Sequence, residues 1–85
     1  MQHLSDLLLS TAKFIIDANA RNINAKIDFG IEVHGSYAVL YINEPHNGFS
    51  QKYIIIDEES AIESIAVFKD QVMGILDFQN SEVWE

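Results

Sequence analysis

Residues 25–34 alternate between apolar and polar side chains without a break, and this pattern limits the possible folds more than any other part of the chain. Alternation with a period of two is typical of a strand with one buried face. Gly35 and Ser36 follow, and then an apolar run at 37–43, so the sequence predicts a β-hairpin with a two-residue loop. The buried side of the first strand consists of Ala25, Ile27, Phe29, Ile31 and Val33.

The two-residue loop also predicts the register of this hairpin. It places Ile31 opposite Leu40, so that the buried side of the first strand meets aliphatic residues of the second. A turn cluster at 44–48 and a run rich in isoleucine and tyrosine at 49–56 predict a third strand. Continuing the register across this turn pairs Leu40 with Ile54. The second face of the sheet would then carry Glu32, Val39, Tyr41, Tyr53 and Ile55, with Gly30 beside Tyr41.

The first helix is predicted over residues 3–22. Its apolar side chains recur with helical periodicity and cover more than half of the helix circumference. Leu9 and Ile16 lie on the flank of this apolar arc. A helix so widely apolar is expected to contact more than one face of the fold or to meet a second chain.

The second helix is predicted over 60–79, because Ser60 and Glu63 have the spacing of a capping box ahead of an apolar run. A short acidic and aromatic tail follows at 80–85. The predicted order is α-β-β-β-α. We therefore expect one domain over residues 1–85 with an α+β fold of two layers, in which two helices pack on one face of a three-stranded antiparallel meander.

Negative charge is concentrated at one end of the chain. The formal net charge is −8. Residues 57–85 contain eight acids and one lysine, a net charge of −7, whereas five acids and four bases give −1 over residues 1–56. Such a chain repels phosphate, so direct binding of nucleic acid or of an anionic membrane is disfavoured and a basic protein is the expected partner. The acids also promote solubility, and this simpler explanation stays open.

The cysteine and apolar content set further bounds. The chain has no cysteine, so it forms neither a disulfide nor a thiolate metal site, and we expect a cytoplasmic location. Its longest uninterrupted apolar stretch, at 37–42, is far too short for a membrane span. No membrane association is therefore expected.

The order α-β-β-β-α resembles the topology of double-stranded-RNA-binding domains over most of the chain. Those domains place lysines at the start of the second helix, where they contact phosphates, but this chain has Asp57, Glu58 and Glu59 there. The inverted charge argues against RNA binding. In size, acidity and lack of cysteine the chain also resembles small phage-encoded inhibitors, including certain anti-CRISPR proteins. That resemblance implies an antagonist that acts by occupying a nucleic-acid-binding site on its target.

A row of acids on the second helix is the first candidate binding surface. Three acids recur every seven residues and therefore lie on one side of the helix, and a fourth precedes them. The row would either contact a basic partner or serve only as a solvated helix face. Val67 and Phe78 fall on the same polar side. The acids are Glu59, Glu63, Asp70 and Asp77.

The sheet face carrying Tyr41 is the second candidate surface. If both helices cover the other face, this one is left for the Trp84 tail, a helix or another chain to cover. Tyrosine and tryptophan are enriched in interfaces, so a partner or a second copy of the chain is a possible occupant. The flank of the first helix at Leu9 and Ile16 is an alternative dimer seam.

The sequence contains no recognisable catalytic or metal-binding set. The histidines at 3, 34 and 46 lack the spacing of zinc ligands, and no nucleophile, base and orienting acid group together. We therefore expect no catalytic activity, no metal and no cofactor. The preferred hypothesis is a non-enzymatic protein-binding module, and its most specific form is an inhibitor that occupies a basic or nucleic-acid-binding site on a target protein. The alternative is a homodimeric structural or accessory domain.

Overall fold

Two helices and a three-stranded antiparallel sheet follow one another in the order α-β-β-β-α, which confirms the predicted α+β fold. The computed structural model describes residues 2–22, 27–44 and 48–82, and side chains within 4–22, 27–44 and 48–78. The sheet order is β1-β2-β3. The elements are α1 (Gln2–Ala20), β1 (Asp28–Val33), β2 (Ala38–Glu44), β3 (Phe49–Ile55) and α2 (Glu58–Glu82).

The register predicted for the first hairpin is confirmed. Ile31 pairs with Leu40, and Val33 pairs with Ala38. Beyond these pairs, the amide of His34 donates a hydrogen bond to the carbonyl oxygen of Tyr37 at 2.8 Å. Pairing therefore continues up to the two loop residues, as the short loop requires.

The register predicted for the second hairpin is wrong by one residue. Leu40 pairs with Tyr53 and not with Ile54, because β2 continues to a Glu44–Phe49 pair and only residues 45–48 connect the strands. Gly48, with a φ of 69°, leads into β3 in the left-handed region that glycine tolerates. A shift of one residue moves every side chain of a strand to the opposite face of the sheet.

Both helices pack on the sheet face that carries Leu40, and the hydrophobic core lies between the two layers. Phe68 of α2 is at its centre, fully buried. Its ring makes edge contacts with Phe14 of α1, Phe29 of β1 and Tyr53 of β3, at centroid distances of 6.3, 6.5 and 6.5 Å. One aromatic side chain thus joins the first helix to both edge strands.

The first helix buries a narrower side than its composition predicts. Thr11, Ile15 and Ala18 are buried, and the Thr11 hydroxyl is satisfied by donating to the carbonyl oxygen of Leu7 at 2.7 Å. Leu9 and Ile16 are 70% and 69% exposed. The part of the apolar arc that contains Leu9 and Ile16 therefore lies outside the core.

Candidate functional site

The second helix presents four exposed acids on the side that faces away from the core, and we call this set the acidic face. Its buried side recurs at helical spacing and consists of Ala61, Ile65, Phe68, Val72 and Leu76. The acids occupy the opposite side because the same periodicity separates them from these positions. The acidic face comprises Glu59, Glu63, Asp70 and Asp77, all exposed.

The start of α2 differs from the predicted capping box. Asp57 is the cap residue: its carboxylate accepts from the Ser60 amide at 2.8 Å, and its carbonyl oxygen accepts from the Ala61 amide at 3.0 Å. In return, the Ser60 hydroxyl oxygen accepts from the Asp57 amide at 3.1 Å. In the predicted capping box, the Ser60 amide donates to the Glu63 carboxylate. In the structure, it donates to the Asp57 carboxylate instead. Glu63 therefore belongs to the acidic face and not to the cap.

These hydrogen bonds also set the ionisation of the cap. The bonds from the Ser60 amide and hydroxyl hold the pKa of the Asp57 carboxyl below its ordinary value. Asp57 is thus charged at the positive end of the helix dipole, beside Glu58 and Glu59. Three acidic residues therefore lie together at the start of α2.

Lys69, the one base in residues 57–85, is directed towards the first helix. Its Nζ lies 5.4 Å from the centroid of the Phe14 ring, in cation–π geometry, and the side chain is half-buried. Its position in the sequence falls within the apolar arc of α2, which is consistent with this contact. Its charge is consequently on the α1 side of the helix, away from the acids.

Apolar side chains interrupt the acidic face, as the sequence predicts. Val67 lies one turn from Glu63 and from Asp70 and is 46% exposed, and Phe78 follows Asp77 and is 59% exposed. Both side chains offer apolar area that a partner could bury, which the acids alone do not. The acidic face is therefore mixed in character.

A recess of about 320 Å³ adjoins this face at its C-terminal half. The turn cluster predicted at 44–48 does not include Glu44, which is the last residue of β2 and is only 4% exposed. Its position, paired with Phe49 on the helix-covered side, places the side chain next to α2. This burial could not be predicted, because Glu44 precedes a proline and its neighbours are typical of a turn. The recess is lined by Glu44, Asp70, Gln71, Gly74, Ile75 and Phe78.

The sheet face opposite the helices, which we call the outer sheet face, differs from its prediction. Glu32, Val39 and Tyr41 lie on it as expected. Tyr53 and Ile55 do not: the one-residue register shift places them on the helix-covered side, where Ile55 is buried and Tyr53 contacts Phe68. Their place on the outer sheet face is taken by Lys52 and Ile54.

Tyr41 is the central side chain of the outer sheet face. It pairs with Gly30 on one side and with Lys52 on the other. Partial burial, and then the negative charges of Asp28 and Glu32, raise the pKa of the Tyr41 hydroxyl. Asp28, Glu32 and Lys52 surround Tyr41, and Val39 pairs with Ile54 beside it, so this face carries charged and apolar side chains together.

Few side chains in the described part of the chain could form a catalytic or metal-binding site. No three histidine, cysteine, aspartate or glutamate side chains within it are grouped to hold a metal ion. His34 lies 3.6 Å from Glu32 and stacks on Tyr37 with a centroid distance of 4.5 Å, both near the hairpin loop. None of the helices in the described residues has the length and hydropathy of a membrane span.

Trp84, the tail residue of the predicted site, lies outside the described residues, and so do the side chains of His3 and His46, which the sequence assigned no role. Comparison of this chain with family models, with curated proteins and with solved structures found no match.

Proposed function

We propose that this protein is a non-enzymatic binding module that presents the acidic face of α2 to a basic surface of a partner protein. The observation that carries this proposal is Val67, an exposed aliphatic side chain held between Glu63 and Asp70. A face that only solubilises needs charge alone. An apolar side chain among acids gains free energy when a partner covers it, while the acids provide orientation and a fast encounter.

The electrostatics of α2 support a basic partner. Glu63, Asp70 and Asp77 recur at intervals of roughly 10.5 Å along one side of the helix. Lys69 contacts Phe14 instead of the acids, so it does not neutralise them. The resulting field attracts cations and repels phosphates.

A partner that ordinarily binds nucleic acid suits this surface best. Its basic groove would accept a row of carboxylates in place of phosphates, and the recess lined by Glu44 and Asp70 is of a size for a lysine or arginine side chain. Occupation of that groove would make this protein an inhibitor. An inhibitor of this kind would use both the acids and the apolar side chains beside them.

The test compares two variants with the same change in net charge. Glu63→Gln/Asp70→Asn/Asp77→Asn neutralises the acidic face, and Asp17→Asn/Asp28→Asn/Glu32→Gln neutralises three exposed acids elsewhere. A partner is first captured from a lysate of the native host with the wild-type protein, and its association with each purified variant is then followed at low and at high salt.

We expect the face variant to associate at least about tenfold more slowly at low salt and to show a flatter salt dependence. The control variant should retain most of the wild-type rate. Equal losses in the two variants would mean that net charge alone attracts the partner, and the proposal would be wrong. Val67→Ser, tested in the same way, should accelerate dissociation with little effect on the association rate.

Competition with nucleic acid tests the inhibitory form. The wild-type protein should displace nucleic acid from the captured partner without binding the nucleic acid itself. A gel shift of duplex DNA or RNA by this protein alone at physiological salt would contradict the electrostatic argument.

A further inference from the structure

The outward side of α1 carries a second surface, independent of the acidic face. Leu9 and Ile16 are seven residues apart, on one line of the helix, and are 70% and 69% exposed. Exposed Ser5 and half-buried Ala12 continue the line. The spacings between these residues, four, three and four, are those of the a and d positions of a two-helix coiled coil. We call these four residues the α1 seam.

The seam is distinct from the side of α1 that builds the core. Thr11, Ile15 and Ala18 face the sheet and α2, and they follow a different line of the helix. No described element covers Leu9 or Ile16 to more than about a third of its surface. From this we infer that the α1 seam is the interface of a homodimer, in which α1 packs antiparallel against α1 of a second copy.

Antiparallel packing follows from the sizes of the seam residues. With a twofold axis between residues 10 and 11, Leu9 packs against Ala12 of the second copy, and Ile16 packs against Ser5. Each large side chain then meets a small one, which lets the helix backbones approach closely. In parallel packing Leu9 would meet Leu9 and Ser5 would meet Ser5, leaving the layers unevenly filled.

Charge selects the same arrangement. Asp6 and Lys13 are both exposed and flank the seam on the side away from the core. Antiparallel packing places Lys13 of each copy opposite Asp6 of the other, giving two ion pairs, because equivalent flanking positions face one another in that orientation. Parallel packing brings neither pair together. Exposed pairs add little affinity, but they determine which orientation forms.

The distribution of charge over the chain also favours this element as the meeting point. Residues 57–85 carry a net charge of −7, whereas residues 1–56 carry −1. Two copies therefore repel each other less where α1 meets α1 than where α2 meets α2. The seam from Ser5 to Ile16 is only about 16 Å long, so we expect a weak dimer whose population rises with protein concentration.

The first experiment measures the molar mass of the full chain by light scattering and sedimentation over a roughly hundredfold range of concentration. Wild type should shift from monomer to dimer, and Leu9→Ser/Ile16→Ser should stay monomeric with unchanged circular dichroism. Ile54→Ser is the matched control, because Ile54 is 60% exposed on the outer sheet face, and it should dimerise like wild type. A wild type that is monomeric throughout, or a dimer lost in Ile54→Ser and kept in the seam variant, would overturn the inference.

A charge exchange tests the orientation and does not depend on loss of a contact. Asp6→Lys and Lys13→Asp should each weaken the dimer, because like charges then face each other across the seam. The double variant Asp6→Lys/Lys13→Asp should restore it, and mixing the two single variants should give a heterodimer that is preferred over either homodimer. Failure of the double variant to recover association would rule out the antiparallel arrangement. These variants do not change the acidic face. The result therefore tests the dimer alone and is independent of the proposed function.

Discussion

Tyr41 lies so close over Gly30 on the neighbouring strand that no larger residue fits beneath its ring. A Cβ atom at position 30 would be 2.6 Å from the tyrosine hydroxyl oxygen and 2.9 Å from Cζ. The two residues are direct partners in the register of β1 and β2. Glycine at this position allows an aromatic ring to cover the strand backbone on the outer sheet face.

Gly30→Ala is therefore expected to destabilise the fold by about 1 kcal/mol, because the ring must leave its position. The free energy of unfolding measured in denaturant provides the test. Gly35→Ala is the control, since a Cβ there meets nothing within 4 Å. In a Tyr41→Ala background the cost of Gly30→Ala should largely vanish. An equal cost in both backgrounds would mean that the strand, and not the tyrosine, excludes a side chain.

The Tyr41 hydroxyl should ionise above its ordinary value of 10.0, since partial burial and then Asp28 and Glu32 raise its pKa. Absorbance titration is carried out on wild type and on Tyr41→Phe, and the difference between the two curves gives the ionisation of the Tyr41 hydroxyl. Because the folded-state pKa is raised, the related stability is complete below pH 10.0 and is lost as pH rises through the folded value. Wild type should therefore lose more stability than Tyr41→Phe at alkaline pH. A difference titration with a midpoint below 10.0 would contradict the expected surroundings.

Asp57→Ala should lower the midpoint of thermal unfolding by about 5 °C, since the cap of α2 is lost. Ser60→Ala should also lower it, because the Ser60 hydroxyl bonds the amides of Ile56 and Asp57. Glu63→Ala should have little effect, because Glu63 is not part of the cap. A larger effect of Glu63→Ala than of Asp57→Ala would restore the capping box predicted from the sequence.

The contribution of Asp57 should also depend on pH. Its folded-state pKa is lowered, so the stabilisation is complete above the ordinary value of 3.8 and is lost as pH falls through the lower folded value. Asp57→Asn keeps a capping side chain but has no carboxyl to titrate. Wild type should therefore lose stability relative to Asp57→Asn only on acidification below about pH 4. A difference that is constant with pH would mean that Asp57 does not titrate in the cap.

Gly74→Ala should stabilise the protein by about 0.5–1 kcal/mol, because glycine inside a helix is less favourable than alanine. Gly74 lies within α2, and an added Cβ meets nothing within 4 Å. Denaturant unfolding measures the gain. Destabilisation by this substitution would show that α2 is not a continuous helix at this point.

Phe68→Ala should cost about 3–5 kcal/mol, a large share of the total stability of a domain of this size. Phe68→Leu should cost less and leave the fold assembled, since it retains part of the buried volume. Circular dichroism and thermal melting of both variants provide the test. A mild effect of Phe68→Ala would contradict its place among the rings of Phe14, Phe29 and Tyr53.

The order of the elements and the first register could be predicted from the sequence for clear physical reasons. Strict alternation at 25–34 leaves only one face of that strand available for burial. Gly35 and Ser36 then allow only a short connection, so the pairing of Ile31 with Leu40 follows. The acidic face could also be predicted, because helical periodicity separates its acids from the apolar positions of α2.

The second register could not be predicted because the third strand has no period of two. Residues 53–56 are Tyr, Ile, Ile and Ile, so either register would bury apolar side chains. Packing against the helices selects the observed register, because it places Tyr53 against Phe68 and buries Ile55 beneath the helices. The cap of α2 was ambiguous for a similar reason, since Asp57 and Ser60 are both good capping residues.

By itself, the sequence determined which segments form helices and strands, how the first hairpin pairs and where negative charge collects, because each of these follows from local spacing. The tertiary structure alone decided which side of an ambiguous element is buried. Leu9 and Ile16 were within reach of the core on a widely apolar helix, yet they are exposed, because the sheet and α2 together cover only one side of α1. Local pattern does not determine that outcome, since burial depends on how much surface the neighbouring elements can provide.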